Sequence, residues 1–536
     1  MTRVLMLAAE HGGLPGGKIG GIGDVIEQLP PALVSAGVDC DVVLPSYGVY
    51  QKGKLAKHVA DARVEFAGSQ QLVGLYQLDD QSGAGCWVVD HPLFSSPPGQ
   101  IYHHDPDDQP FATDANIYAL FCASVVQLLL DKAFPVPDVI HLHDWHAATF
   151  AVLARANRLL APTKLVYSIH NLALQGVRPL RGHPSSLLSW FPKLAIDLES
   201  LRDPTYSDCY NPTRAAIGLV DKVHVVSPTY AREVLESSEP ELGLHGGEGL
   251  EFDLQIRSDE DDLVGILNGC AYSQELASGE STTGTEELAE QRSVLQRSIR
   301  QTLSGWIGEH DSLRSSDYLA RESLENIGKT LAGCFLLTSV GRITPQKVGL
   351  LLHRRDEARE TLLDRLLDMI DDRGALVMLG TGDAVLERQL VEHAARHTNF
   401  LFLRGYSDSI ADTLYRAGDL FLMPSLFEPC GISQLLAMRA GQPCLVHATG
   451  GLQDTVRDGI DGFQFDGEDL DEKSRNCELA LKRALKAHAA VKDFKDMRSN
   501  AEANRFTWEQ TAKLYSERLY APGVSRRVPA SLASRY

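Results

Sequence analysis

Hydrophobic residues in this chain fall into short runs closed by glycine, proline or polar clusters, and most runs are followed by a stretch of helical period. The runs read as buried strands and the periodic stretches as helices. Val4 to Ala9 is the first strand. The helix after it carries Val25, Leu29 and Leu33 on one face, and Pro30-Pro31 is expected to interrupt or kink it. Further strands are expected at 41–45, as a pair across 64–78, and at 86–90, 139–143, 165–169 and 223–226, and residues 263–269 read as the crossing into the second domain. Asn116 to Leu130 reads as an amphipathic helix, and Thr229 as the N-cap of another. Gly243 to Gly249 reads as a mobile loop and Ser273 to Thr285 as a polar linker. Residues 286–330 look helical and charged. Strands resume at 335–340, 375–379, 399–404, 420–423 and 443–447, with a helix from Ile432 to Ala440 and an amphipathic helix at 506–519. The tail after Pro522 is basic and expected to be disordered. Strand and helix alternate throughout, which predicts two doubly wound α/β domains with a cleft between them.

Composition narrows the partners. At 536 residues, 44% hydrophobic and 23% charged, the chain is long enough for two or more soluble domains. Its 51 basic against 71 acidic residues give a net charge of −20, which argues against nucleic acid or an anionic membrane as partner. An anionic substrate would have to meet a local cluster of Lys and Arg. Nine cysteines occur without a CxxC, as in a cytoplasmic protein with reduced thiols. The first apolar run is too short for a secretion signal, and no run of membrane-spanning length is expected.

The most informative stretch runs from Phe421 to Val456. A strand ends at Pro424-Ser425, and Phe427-Glu428-Pro429-Cys430-Gly431 leads into a helix. Glu428 therefore lies beyond the carboxyl end of a strand, where open α/β sheets bind ligands. Gly431 is placed at the helix start, where unpaired N–H groups suit anions and hydroxyl oxygens. Cys430 reads as packing rather than nucleophile. The next strand runs into Thr449-Gly450-Gly451, a turn that lets backbone approach closely.

Near the start, strand, glycine-rich loop and helix follow in order, with Lys18 among the glycines. That arrangement can cradle a phosphate. The spacing is neither the GxGxxG of dinucleotide folds nor the P-loop, which argues against a nicotinamide enzyme and a P-loop ATPase. Arg342 and Lys347, five apart on one loop, can clamp a diphosphate from two sides. His103-His104-Asp105 has no partners at ligand spacing. His141 and His143 share one face of a strand and could hold a metal. The competing reading of that strand end is a sugar-binding edge, with Asp144 for hydroxyls and Trp145 for a ring face.

Nine segments, taken in order, resemble signatures of the glycogen and starch synthases (glycosyltransferase family 5). They are KIGGIGDV (18–25), HDWHA (143–147), HNLALQG (170–176), VSPTYARE (226–233), GILNG (265–269), GRITPQK (341–347), LGTGD (379–383), FEPCGISQLLAM (427–438) and TGGLQDTV (449–456). The resemblance spans about residues 1 to 520. It implies a GT-B fold: two doubly wound Rossmann-like domains facing a central cleft. Residues 1–262 would form the acceptor side and 263–505 the nucleotide-sugar side, and the helix in 506–536 would cross back to the first domain.

The implied activity is retaining transfer of glucose from ADP-glucose to the non-reducing 4-hydroxyl of an α-1,4-glucan such as glycogen. No cofactor and no metal are implied. By the resemblance, His170, Arg342, Lys347 and Glu428 would be catalytic. The donor would be held by Lys18, Gly20, Gly21, Asn171, Asn268, Gly341, Gly382, Cys430, Gly431, Thr449, Gly450 and Gly451. Asp24, Tyr102, Asp144 and Trp145 would serve the acceptor or sugar. The chain departs from the family in four places: Leu174 stands for a tyrosine, the segment Gly12 to Gly17 is longer, Cys270-Ala271-Tyr272 lacks the usual continuation, and the glycine after Gln346-Lys347 is shifted one place to Gly349. Those departures leave two alternatives, a GT-B transferase with another donor or acceptor and a non-catalytic glucan-binding homologue.

Overall fold

Short apolar runs with helical crossovers build two separate sheets in the computed structural model, which describes residues 2–53, 56–79, 83–157, 159–272, 285–309, 314–355 and 359–521. The first sheet contains β1 (Arg3–Leu7), β2 (Asp39–Pro45), β3 (Ala56–Phe66), β4 (Ser69–Leu78), β5 (Gly85–Asp90), β6 (Val139–His143) and β7 (Lys164–Ile169). A two-stranded ribbon, β8 (Arg178–Pro179) and β9 (Cys209–Tyr210), stands apart from it. β10 (Lys222–Val225) and β11 (Leu263–Gly265) complete the sheet, in the order β11-β10-β7-β6-β1-β2-β5-β4-β3. Pairing is parallel except along the β3–β4–β5 meander. The second sheet is parallel throughout, with β12 (Phe335–Val340), β13 (Gly374–Gly380), β14 (Phe400–Arg404), β15 (Leu420–Met423), β16 (Cys444–His447) and β17 (Gly462–Phe465) in the order β14-β13-β12-β15-β16-β17.

Each sheet has one point where the chain reverses its direction of winding. In the first, β1 lies between β2 and β6. In the second, β12 lies between β13 and β15. Loops leaving the carboxyl ends of strands diverge there and leave a crevice for a ligand.

The chain divides into two compact units: Met1–Ser238 with Gly246–Ala271 and the segment from Thr507, and Glu239–His245 with Tyr272–Phe506. The expected boundary at residue 263 moves. Leu263–Gly265 pairs with β10 as the edge of the first sheet, because Val223–Val225 offers an open parallel edge. The glycine loop expected to be mobile is packed instead: a Cβ on Gly246 would lie 2.0 Å from the Glu236 carbonyl oxygen.

Three helices differ from expectation. Gly21–Ser35 runs through Pro30 and Pro31 without a break. Its buried Val25, Ile26, Leu29 and Leu33 pack in the first core, and that burial outweighs the hydrogen bonds the prolines cannot make. Ala112–Leu130 is buried on most sides rather than amphipathic. Contrary to the expectation of no such run, it is long and apolar enough to cross a membrane by length and composition, with 67% of that window buried in the fold. The helix Pro228–Glu233 is capped by Ser227, whose Oγ accepts the Tyr230 N–H; Thr229 lies inside it.

The charged helical region becomes Thr285–Glu309 and Ser315–Ile327, which cover the second sheet with Leu295, Ile299 and Leu324. Buried Arg292 anchors it by an ion pair to Asp419 (2.5 Å) and donates to the Cys334 carbonyl. Most of the expected linker, and the basic tail, lie outside the described residues.

The C-terminal helix Trp508–Leu514 packs on Gly21–Ser35. Trp508 donates to Gln28 (2.6 Å) and its ring covers Gly269, where a Cβ would sit 2.6 Å from it. Trp508→Ala is expected to cost about 3–5 kcal/mol, read by denaturant unfolding. Gln28→Leu, which removes only the hydrogen bond, is expected to cost about 1 kcal/mol.

Candidate functional site

In the second unit the expected donor residues converge at the switch point between β12 and β15. The loop after β12 enters the helix Pro345–Leu352, which puts Lys347 in its first turn. The loop after β15 carries Glu428. The two side chains form an ion pair, with Lys347 Nζ donating to Glu428 Oε2. Ser425 Oγ donates to the same carboxylate oxygen (3.1 Å). Gln346 ties the two loops twice: its side chain donates to the Phe427 carbonyl (2.9 Å) and its carbonyl accepts the Leu426 N–H (2.8 Å). Gly341, Arg342, Lys347 and Ser425 line one small pocket, and Arg342 is exposed. Two basic groups, Arg342 and Lys347, therefore line that pocket, as a diphosphate would need, and Lys347 also carries the ion pair to Glu428.

Gly431, Gly450 and Gly451 turn out to shape backbone. Gly431 has φ +79°, and Gln434 reaches back to the Cys430 and Gly431 carbonyls (3.0 and 3.1 Å). The helix starts later than expected, at Ser433, so Gly431 is not its first residue. A Cβ on Gly450 would lie 2.0 Å from the Glu428 carbonyl oxygen, and one on Gly451 2.1 Å from that of Cys430. The Gly451 N–H donates to the Glu428 carbonyl (3.0 Å). The two loops thus abut, and Thr449 precedes the second helix. Cys430 is buried. Gly382 is locked against Ile343 and gives its N–H to Glu387 (2.7 Å).

In the first unit the phosphate-cradle reading of the glycine loop changes. Glu10, at the end of β1, accepts the N–H groups of Ile19 (2.8 Å) and Gly20 (2.7 Å). A carboxylate of the chain thus fills the anion position before the helix that begins at Gly21. Tyr102 Oη donates to the other Glu10 oxygen (2.6 Å). Lys18 pairs with Asp24 (2.6 Å), so two expected site residues neutralise each other at the rim. Glu10 was the residue to find: its place at the carboxyl end of β1, just before the glycines, was the available signal.

The loop after β6 also departs from the sugar-edge reading. Trp145 is buried: it touches Phe111 and Tyr118, and a Cβ on Gly176 would lie 2.3 Å from its ring. No face is left for a sugar. Asp144, at φ +53°, accepts the His170 N–H (2.6 Å) and so positions the His170-Asn171 turn. Burial raises its carboxyl to about 7 against those backbone hydrogen bonds. Asn268 is buried, and its Oδ1 has no hydrogen-bond partner among the described residues.

Nor do His141 and His143 form a metal pair. His141, His143 and His170 stack in sequence, with ring centroids 4.3 and 5.3 Å apart. His143 Nδ1 meets His170 Nε2 at 3.0 Å. His141 bridges Tyr520 Oη (2.7 Å) and Ser168 Oγ (2.6 Å), and Ser168 reaches His224 (2.7 Å). Burial holds these imidazoles neutral: His170 falls to about 4 and His224 to about 3.

Comparison with known proteins gives this geometry a family. Residues 3–255 match the family model described as starch synthase catalytic domain, and residues 339–482 match glycosyl transferases group 1. The chain is a glycosyltransferase with a starch synthase catalytic domain. Among solved structures, the catalytic domain of starch synthase IV from Arabidopsis thaliana, bound to ADP and acarbose, matches at TM-score 0.71 and 24% identity, covering 96% of this chain and 98% of that one. Sucrose-phosphate synthase from Thermosynechococcus elongatus matches at 0.55 and 15% identity, covering 97% and 100%. An Anabaena protein, HepE, in complex with UDP-glucose matches at 0.51 and 15%, also covering 97% and 100%. These likenesses establish that the glycosyltransferase has the GT-B fold.

Two outcomes follow for this glycosyltransferase. Gly451→Ala must push the 449–451 turn off the Cys430 carbonyl, and is expected to lower stability by about 1–3 kcal/mol in denaturant unfolding. Acid should weaken the first unit. Its buried histidines titrate below the ordinary value, so the unfolded chain binds more protons than the folded one between about pH 4 and 6.5. Stability present above pH 6.5 is then lost on acidification, by up to about 1.4 kcal/mol per pH unit per histidine. Asp144 opposes this, because its raised carboxyl keeps a proton in the folded state up to about pH 7. Thermal midpoints from pH 7.5 down to 5 should fall, since the stacked imidazoles outnumber it.

Proposed function

We propose that this glycosyltransferase moves glucose from ADP-glucose to the 4-hydroxyl at the non-reducing end of an α-1,4-glucan, with retention. The carrying observation is the Lys347–Glu428 pair at the switch point of the second sheet, in a chain with a starch synthase catalytic domain. Starch synthase IV, of the same fold, was solved with ADP and acarbose, which favours an adenine nucleotide and a glucan-like acceptor.

The leaving group in such a transfer is a nucleoside diphosphate. As the glycosidic bond loosens, negative charge grows on phosphate and positive charge on the sugar. Arg342 and Lys347 would meet the phosphate charge, which is electrostatic catalysis by fixed groups of the chain. Lys347 is held by Glu428 before any donor arrives; a diphosphate would compete for the ammonium and free the carboxylate for sugar hydroxyls. The departing phosphate would take the acceptor proton, and we assign no metal or other cofactor to the step. His170 and Asn171, positioned by Asp144, would serve the transferred glucose, and His170→Ala tests that role separately. The nine free cysteines fit a cytoplasmic setting.

A second reading keeps the chemistry and changes the donor to UDP-glucose, the ligand of the Anabaena structure. Both readings meet in one experiment, transfer of labelled glucose from ADP-glucose or UDP-glucose onto glycogen. Incorporation from ADP-glucose that falls at least about 100-fold in Lys347→Ala and Glu428→Ala is the expected result. Incorporation from UDP-glucose alone selects the second reading. No incorporation from either, with glycogen still bound, overturns both in favour of a binding homologue.

A further inference from the structure

Away from the loops described above, the second unit brings together Asp364, His393 and His397. One ligand atom from each lies within 4.8 Å of the others. Asp364 sits in the first turn of the helix Leu362–Ile370, and His393 and His397, four apart, lie at the end of the helix Ala384–Arg396. Four residues make one turn, so both imidazoles face the same way. Asp364 Oδ1 is 2.9 Å from His393 Nδ1 and 2.7 Å from His397 Nε2. Its other oxygen is taken by Thr361 in a capping box. The carboxylate is thus held with Oδ1 turned to the two rings.

One contact does not close as a hydrogen-bond network. His393 Nδ1 faces the Asp364 carboxylate and also an Arg396 N–H, both at 2.9 Å. A single ring nitrogen cannot donate to the carboxylate and accept from the guanidinium in one tautomer. A cation between the three side chains removes the conflict. The Nδ1 lone pair then points to the ion, its proton sits on Nε2, and Arg396, more than half exposed, gives up its 3.5 Å ion pair with Asp364 Oδ1 to the metal and turns to solvent.

We propose that Asp364, His393 and His397 bind a divalent transition-metal ion of the zinc type. Two imidazole nitrogens and one carboxylate oxygen suit zinc and its neighbours rather than calcium or magnesium. Donors around a tetrahedral zinc stand roughly 3.3 Å apart, so the two Asp364 Oδ1 contacts would open by roughly 0.4 and 0.6 Å, with all three donor atoms already within 4.8 Å of one another. His397 is partly exposed, which leaves water as the fourth ligand.

The ion staples the helix Leu362–Ile370 to the far end of Ala384–Arg396. The near end of that second helix carries Asp383, which caps it, and Glu387, which holds Thr381, Gly382 and Arg404. Metal binding therefore braces the helix that shapes the turn after β13. The role is structural, and the ion takes no part in the transfer step.

The test uses the full-length, tag-free protein, stripped with a chelator and titrated with zinc against a chromophoric competitor. One equivalent is expected to bind, with a rise in thermal midpoint. His397→Gln and His393→Gln are each expected to weaken binding at least about tenfold and to abolish that rise. Cobalt in place of zinc should give a visible tetrahedral spectrum without sulfur-to-metal charge transfer; this needs only the wild-type chain and stands if a variant fails to fold. Failure to bind one equivalent, unchanged affinity in folded variants, or a thiolate charge-transfer band each overturns the proposal and leaves the trio as a hydrogen-bonded brace.

Discussion

The loops at the switch point of the second unit are set by one close approach of backbone to backbone. The Glu428 carbonyl accepts the Gly451 N–H, and neither Gly450 nor Gly451 has room for a Cβ beside the chain it touches. Two parallel strands deliver their loops side by side, and parallel geometry alone does not say how near they come. The glycines set that distance. With the loops abutted, Glu428 faces the first turn of the helix Pro345–Leu352, and Lys347 and Gln346 are in reach. A side chain at either glycine would part the loops and carry the carboxylate away from the ammonium.

The first unit uses charge of its own where a ligand might have been expected. Glu10 fills the amide cradle, Lys18 and Asp24 neutralise each other, and Asp144 holds the His170 turn. These groups are consumed in shaping the loops. The His170-Asn171 turn sits at the end of a buried stack of neutral imidazoles. Desolvation keeps the stack neutral, since ionised rings at that spacing and burial would repel.

Much of this was legible in the sequence. Strand and helix alternation gave both sheets, because apolar runs of strand length and helical periodicity are local signals. The motifs gave Lys347 and Glu428 as a site before their contact was visible. Three kinds of feature were not legible. The strand Leu263–Gly265 changes unit because an open edge on β10 captures it, which is a non-local event. Trp145 was read as a sugar platform because sequence carries no exposure; packing over Gly176 decided otherwise. Glu10 went unassigned ahead of the glycines, because only the fold of the loop brings the Ile19 and Gly20 N–H groups to its carboxylate.

The Tyr520–His141 hydrogen bond spans 379 positions of chain. A loop of that size costs roughly 5 kcal/mol of closure entropy, and the ribosome needs roughly 20 to 75 s to synthesise it. For all of that time the groove on Gly21–Ser35 that later receives Trp508 is open, and the imidazole stack lacks its last partner. The amino-terminal unit is therefore the first to be made and the last to be finished. Its nascent form presents an apolar surface that chaperones can hold, and a ribosome that stops before Thr507 releases a unit whose core has no lid.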